Sequence, residues 1–231
     1  MYRIYEDENG TDEDFRRAEE AYREVILSGK AETIDYLDYA RLHRVRVHKD
    51  KELAMYYYRR ALEEGKEQRD DYWIGAHHEL TLYLISLGRA EEAIAKNIKW
   101  CEEETDVTWT HISYAFALEE TGRLEEAWKQ VEIAFGIDEN DNAVLSEAGD
   151  ICAKQGRYEE AISYWDRIKM SKDDLNISHF YSKAEAYVSL GEKEKAIKQF
   201  EEILAWLEAH GFNMELESVY PLQRIEQIKN S

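Results

Sequence analysis

Apolar side chains recur along this chain at spacings of three and four residues, which is the period of an amphipathic helix. Near the N-terminus the apolar positions are Phe15, Ala18, Tyr22, Val25 and Ile26. Thr11 followed by Asp14 is typical of a helix start, and Gly29 is typical of a helix end. Because the same spacing continues towards the C-terminus, the sequence predicts an all-α chain.

A seven-residue segment occurs four times and sets the organisation of the chain. Its copies are Gly88–Ile94, Gly122–Trp128, Gly156–Ile162 and the more divergent Gly191–Ile197. The four glycines are 34, 34 and 35 residues apart. A fixed period of about 34 residues indicates stacked helical hairpins, each of which packs on its neighbours.

The residue types of this segment have physical reasons. Glycine suits the reversal between two helices because it adopts a positive φ without strain. The Glu-Glu pair falls in the first turn of the second helix, where carboxylates face the positive end of the helix dipole. The alanine falls where the two helices approach closely, and it belongs to a ladder that comprises Ala18, Ala54, Ala93, Ala127, Ala161 and Ala196.

These signals predict one array over residues 1–231, with about 12 helices. Its expected parts are an N-terminal half-repeat helix at 11–29, a degenerate repeat at 33–65, repeats at 74–104, 108–137, 142–169 and 177–210, and a capping helix within 212–231. The capping helix is expected to begin near Pro221, since the residue before a proline avoids the α region. Its apolar face should then present Leu222, Ile225 and Ile228 to the last hairpin.

Composition narrows the class of partner. The 231 residues carry a formal net charge of −20, which repels phosphate backbones and argues against nucleic acid as a partner. Two cysteines, Cys101 and Cys152, are too few for a disulfide framework. The N-terminal residues lack an apolar signal core, and no stretch of about 20 apolar residues occurs. We therefore expect a cytoplasmic protein with no membrane partner, whose oligomeric state the sequence leaves open.

The repeat resembles the tetratricopeptide repeat family. In the repeat at 108–137 the matching positions are His111, Tyr114, Ala115, Leu118, Gly122, Ala127, Val131 and Ala134. The resemblance covers residues 33–210, and it implies an α-solenoid, a right-handed superhelix of antiparallel helix pairs. Three positions depart from the family pattern: Thr81 takes a small slot, Asn97 an aromatic slot and Lys183 an apolar slot.

The resemblance also implies a binding surface. Similar proteins bind extended peptides or partner helices in a concave groove lined by the first helix of each pair. Carried over by register, the candidate groove residues are Leu37, Arg41, Arg44, His78, Leu82, Ile85, Trp109, Ile112, Phe116, Glu119, Asp150, Lys154, Tyr181 and Glu185. They are basic at the N-terminal end, apolar in the middle and acidic towards the C-terminal end.

Two features of this surface allow more than one interpretation. The stripe formed by Trp109, Ile112 and Phe116 could be core or an exposed aromatic patch. The basic run from Arg41 to Lys51 could be a solvated helix end or a seat for an acidic segment. One subset of the resembling family holds a terminal carboxylate with Lys, Asn and Arg. Because His78, Leu82 and Ile112 stand at those positions, that kind of clamp is not supported.

The sequence carries no enzyme motif. His78 and Glu79 open a zinc-protease pattern, but Leu82 replaces the second histidine, so neither a metal nor a cofactor is expected. We therefore predict a non-catalytic scaffold for protein–protein or peptide binding. The alternatives are a peptide-sensing signalling regulator that acts by binding an effector protein, a homo-oligomeric structural piece, and helical-repeat RNA binding, which the net charge disfavours.

Overall fold

A computed structural model describes residues 11–45, 50–67, 69, 71–169 and 177–231. Every helix and strand assigned within these ranges is an α-helix, which confirms the all-α prediction. The helices are α1 (Asp12–Leu27), α2 (Thr33–Val45), α3 (Lys51–Glu64), α4 (Asp71–Ser86), α5 (Ala90–Glu103), α6 (Thr108–Glu119), α7 (Leu124–Ile137), α8 (Asn142–Lys154), α9 (Tyr158–Trp165), α10 (Ser178–Ser189), α11 (Lys193–Ala209), α12 (Met214–Glu217) and α13 (Val219–Asn230). The chain forms two compact units, residues 1–99 and 100–231.

In the first unit, α1 packs on α2, α2 pairs with α3, and α4 packs on both members of that pair. The predicted cap of α1 is present: the Asp14 amide donates to Thr11 Oγ1 over 3.3 Å, and the Thr11 amide donates to Asp14 Oδ2 over 2.9 Å. Phe15, Ala18 and Tyr22 of α1 form one buried cluster with Tyr39 and Leu42 of α2. The N-terminal helix is therefore anchored through the apolar positions that the spacing indicates.

The second unit contains the helix pairs α6–α7, α8–α9 and α10–α11. Between the two helices of each pair stand Gly122, Gly156 and Gly191, with φ values of 76°, 76° and 74°. These angles lie in the left-handed region that glycine tolerates, as the repeat predicts. The alanines of the repeated segment are fully buried in all three pairs, which confirms the close approach of the two helices.

The arginine and the second glutamate of the repeated segment bond to each other, which the sequence interpretation missed. Arg123 Nε and Nη2 donate to the two carboxylate oxygens of Glu126 over 2.8 and 2.7 Å. In the next copy, Arg157 Nη1 donates to Glu160 Oε2 over 2.9 Å. These exposed pairs fix the side chains in the first turn of the second helix, and exposed ion pairs of this kind contribute little stability.

The C-terminal cap differs from the expectation. The capping helix α13 begins at Val219, two residues before Pro221, and the short helix α12 precedes it. Pro221 fits inside the first turn because the amides there have no partner within the helix. Ile225 and Ile228 are buried against α11 as predicted, whereas Leu222 is 52% exposed and was wrongly placed on the buried face.

The three residues that depart from the family pattern each have a polar partner in the structure. Asn97 Nδ2 donates to Thr81 Oγ1 over 3.0 Å and to the Ala93 carbonyl over 2.9 Å. The Thr81 hydroxyl in turn donates to the His77 carbonyl over 3.0 Å. Both side chains are buried. In the second unit, Lys183 donates to the carboxylate of Asp166. Thr81 and Asn97 therefore form a buried, hydrogen-bonded polar pair where the family pattern has a small and an aromatic residue.

Thr81→Val is expected to lower the free energy of unfolding by about 1–3 kcal/mol, because one N–H of Asn97 then loses its buried acceptor. Urea denaturation followed by far-ultraviolet circular dichroism measures the change. Thr81→Ser keeps the hydroxyl and is the matched control. A valine variant as stable as the serine variant would show that the buried bond contributes nothing.

Candidate functional site

A cavity of about 590 Å³ lies in the second unit, and we name it the unit-2 cavity. Its walls come from the first helices of three successive pairs, α6, α8 and α10, together with two aromatic side chains of α9. These first helices contact one another, α6 with α8 and α8 with α10. The lining residues are Phe116, Glu119, Glu120, Asp150, Ala153, Lys154, Tyr158, Trp165, Tyr181, Ser182, Glu185, Ala186 and Ser189.

One wall of the cavity is formed by a tryptophan that packs against a glycine. Trp165 reaches the cavity from α9 and is only 3% exposed. It packs directly against Gly149 of α8, where an added Cβ would lie 2.2 Å from the indole Nε1. No larger residue at Gly149 leaves room for this indole. Phe116 of α6 and Tyr181 of α10 supply further aromatic surface.

In contrast to this aromatic wall, another part of the cavity lining is a cluster of charged side chains. Lys154 Nζ lies 2.8 Å from Glu120 Oε1 and 3.3 Å from Glu119 Oε1. Glu119 is 5% exposed, and burial raises the pKa of its carboxyl while the charge of Lys154 lowers it. One lysine thus lies between two carboxylates on this side of the cavity.

Two more carboxylates on α8 carry raised pKa values. Burial, and then the charge of Glu119, raise the pKa of Asp150 to about 7, against hydrogen bonds from Ser182 and Ser146 and the charge of Lys154. Burial raises the pKa of Glu147 well above its usual range, and the nearby carboxylates of Glu119 and Asp150 add to this shift. Groups with pKa values shifted by burial and by specific neighbours are typical of functional sites.

The last acidic residue of the lining is held by the C-terminal cap. Arg224 Nε donates to Glu185 Oε1 over 2.7 Å and Arg224 Nη2 to Glu185 Oε2 over 2.6 Å, while the Tyr220 hydroxyl donates to Glu185 Oε1 over 2.7 Å. Burial opposes ionisation here, but the bonds from Arg224 and Tyr220 prevail and lower the pKa of the Glu185 carboxyl. Helix α13 therefore neutralises one end of the cavity.

The structure brings six of the candidate groove residues together in this cavity. They are Phe116, Glu119, Asp150, Lys154, Tyr181 and Glu185. The aromatic stripe of α6 divides: Phe116 lines the cavity, whereas Ile112 is 4% exposed and belongs to the packed interior. Trp109 is half-buried and lies outside the lining. The assignment of Ile112 to a binding surface is corrected accordingly.

The candidate residues of the first unit fit a binding surface less well. Leu37 is 1% exposed, so a partner cannot reach it. Arg41 is paired with Glu79, through Nε at 2.9 Å and through Nη2, and with Asp38 at 2.9 Å. Its side chain is 14% exposed, and its charge is thus compensated within the protein. Both assignments are corrected: Leu37 belongs to the packed interior, and the helix period alone does not reveal that Arg41 pairs with the distant Glu79.

The remaining candidates of the first unit are half-buried: Arg44, His78, Leu82 and Ile85. Burial lowers the pKa of His78 to about 4, so this imidazole is neutral near neutral pH. The basic run that begins at Arg41 includes residues 46–49, which lie outside the described residues. The interpretation that this basic run binds an acidic segment stays a prediction.

Within the described ranges, no group of three or more His, Cys, Asp or Glu side chains is arranged to hold a metal ion. None of the helices in the described part of the chain is both long enough and apolar enough to cross a membrane.

Comparison with known proteins supports the assignment of the repeated segment to a known repeat family. The sequence profile of the tetratricopeptide repeat matches residues 180–206, which cover most of α10 and most of α11. The chain thus contains a tetratricopeptide repeat, and the resemblance inferred from the repeated segment is confirmed. None of the curated proteins matches the sequence.

Solved structures extend this similarity over most of the chain. A thermophilic tetratricopeptide repeat protein of Thermus thermophilus, TTC0263, is 15% identical, with 94% of this chain and 100% of that chain covered and a TM-score of 0.59. PilW, a type IV pilus biogenesis factor, is 15% identical over 90% and 91%, with a TM-score of 0.61. The APC/C hetero-tetramer Cut9–Hcn1 is 12% identical over 93% of this chain and 41% of that chain, with a TM-score of 0.63. The fold is therefore that of the tetratricopeptide repeat solenoids.

Proposed function

We propose that this protein is a non-catalytic scaffold that binds a segment of a partner protein in the unit-2 cavity. The observation that carries the proposal is that six of the groove residues inferred from the repeat register line one cavity of about 590 Å³. Binding cavities commonly have volumes of roughly 300–1,000 Å³ and combine apolar walls with a few placed polar groups. The unit-2 cavity has both.

The shape of the lining favours an extended peptide. Its residues come from three successive first helices, so that the aromatic side chains of Phe116 and Tyr181 stand on the two outer helices with α8 between them. An extended segment that crosses the three helices presents successive side chains to each of them. The hetero-tetramer Cut9–Hcn1 supports the proposal as a similar fold that assembles with another protein chain.

Phe116→Glu is expected to reduce peptide binding by at least about tenfold, because it places a charge on an aromatic wall of the cavity. The measurement is the recovery of peptides from a displayed random library, selected on the unaltered protein and then tested on each variant. Circular dichroism spectra and melting curves verify the fold.

Ile133→Glu is the matched control for this substitution. Ile133 is an exposed apolar residue of α7 outside the cavity lining, so the variant gains the same charge elsewhere. Retained binding by the Ile133 variant with loss by the Phe116 variant supports the proposal. Equal binding by both variants would overturn it.

A further inference from the structure

The charges around the unit-2 cavity do not balance. Glu119, Glu120 and Asp150 line it beside a single lysine, and Glu185 is already paired with Arg224. Lys154 is within 3.3 Å of Glu119 and 2.8 Å of Glu120. Asp150 has no ion pair among the described residues, and the charge of Lys154 and the hydroxyls of Ser182 and Ser146 only partly offset the raised pKa of its carboxyl. The lining therefore holds more negative than positive charge.

A buried acceptor adds an observation that is independent of the charge count. Glu119 lines the cavity at 5% exposure, and among the described residues its buried Oε1 has the ion pair with Lys154 at 3.3 Å but no donor in good hydrogen-bond geometry. Glu147, whose carboxyl feels the charge of Glu119, is 6% exposed and lies outside the lining, and its Oε1 accepts no hydrogen bond from any described residue. Buried carboxylate oxygens are normally satisfied, and leaving one unsatisfied costs free energy that a cationic donor could recover.

The neighbouring walls suit the same kind of ligand. The same cavity that holds the carboxylates is also lined by four aromatic side chains, Phe116, Tyr158, Trp165 and Tyr181. Aromatic faces attract ammonium and guanidinium groups, and they pack equally well against the methylene stems of lysine and arginine. Ala153 and Ala186 add small apolar surface on which a neighbouring side chain can rest.

We propose that the unit-2 cavity recognises a lysine or arginine side chain of the partner peptide, with the cationic group directed to Asp150 and Glu119. This inference rests on the proposed function and names the chemistry of its ligand. The ligand is a peptide segment rather than a free amine, because the cavity is larger than one cationic group requires and its apolar walls need adjacent side chains.

The first test is the composition of the peptides selected from the random library. Peptides whose recovery depends on Phe116 are expected to share one position at which lysine or arginine is enriched. Phe116-dependent peptides without such a position would overturn this inference and leave the proposed function standing. Peptides whose recovery is independent of Phe116 would instead overturn the proposed function.

The second test is calorimetric titration with a matched pair of peptides. One is a selected arginine peptide, and the other carries the neutral isostere citrulline at the enriched position. The unaltered protein is expected to bind the arginine peptide about tenfold more tightly than its twin, and Asp150→Asn should abolish this preference. Equal affinity for the two peptides in the unaltered protein would overturn the inference.

Two controls complete the titration. Glu201→Gln removes one negative charge at an exposed position of α11 outside the lining, and it should keep the preference for arginine. Arginine amide alone should bind far more weakly than the peptide. If the amide binds as tightly as the peptide, the ligand is a free cation and the assignment to a peptide is wrong. Melting curves of the Asp150 variant separate lost recognition from lost folding.

Discussion

Glu147→Gln should raise the free energy of unfolding by roughly 1–3 kcal/mol near pH 8 and by much less near pH 5. Glu147 is buried beside Glu119 and Asp150, and its Oε1 has no hydrogen-bond partner in the described ranges. The amide of glutamine carries no charge, and its N–H groups can donate to the neighbouring carboxylates. The substitution therefore removes an uncompensated buried acid and keeps its shape.

The pH dependence follows from the direction of the shift. Burial raises the pKa of Glu147 in the folded state, so over the interval above its ordinary value the folded protein binds more protons than the unfolded chain. Stability then falls as pH rises through this interval, and it is greatest on the acidic side. Asp150 acts in the same direction, but its contribution stops growing above its folded pKa of about 7.

Urea denaturation of both proteins at the two pH values measures this effect. Glu201→Gln, at an exposed position of α11, is the control and should shift stability little and equally at both pH values. If Glu147→Gln changed stability by the same amount at both pH values, the carboxyl of Glu147 would not be the titrating group that weakens the fold.

Gly149→Ala is expected to destabilise the second unit by about 1–3 kcal/mol, despite the better helix propensity of alanine. The added Cβ would lie 2.2 Å from Trp165 Nε1 and 2.5 Å from Cε2, and the indole that would have to shift is buried. Because Trp165 also lines the unit-2 cavity, the substitution should shift its fluorescence spectrum and weaken peptide binding.

Gly136 provides the matched control. It lies in α7, is exposed, and an added Cβ there meets nothing within 4 Å. Gly136→Ala should therefore stabilise the protein by roughly 0.5–1 kcal/mol, through the conformational entropy of the unfolded chain. In Gly149→Ala, a further Trp165→Phe change should recover part of the loss, since the smaller ring leaves room. Equal effects of the two alanine substitutions would contradict the packing described for Trp165.

The sequence predicted much of the fold because its signals are local. The glycines of the repeated segment specify positive φ, and the alanines specify a close approach, so both could be located without knowledge of the neighbours. Helix ends were less certain: α4 begins at Asp71 rather than near residue 74, and α9 ends at Trp165 rather than near residue 169. Ends fray and depend on tertiary contacts that the period does not encode.

The candidate site was predictable in part for a related reason. Register placed Phe116, Asp150 and Tyr181 on the surface that lines the cavity. The same register could not separate Ile112 from Phe116, because residues four apart share a helix face and small rotations decide burial. The pairing of Arg41 with Glu79 was out of reach, since these residues are far apart in the sequence.

Trp165 shows what a closer interpretation of the sequence could have found. It lies on the second helix of its pair, which the register rule excludes from the binding surface. The signal was Gly149, a glycine in the interior of α8 where helix propensity disfavours it. A glycine at such a position often indicates the close approach of a bulky group from a neighbouring helix.

The most direct test of the binding site uses a photoreactive phenylalanine analogue placed at Ser189, an exposed residue of the cavity lining, or at Ile133 on α7. A library-selected peptide is irradiated with each protein, and mass spectrometry locates the covalent adduct. Peptide binding in the unit-2 cavity predicts an adduct from position 189 and none from position 133. An adduct from position 133 with none from position 189 would contradict it.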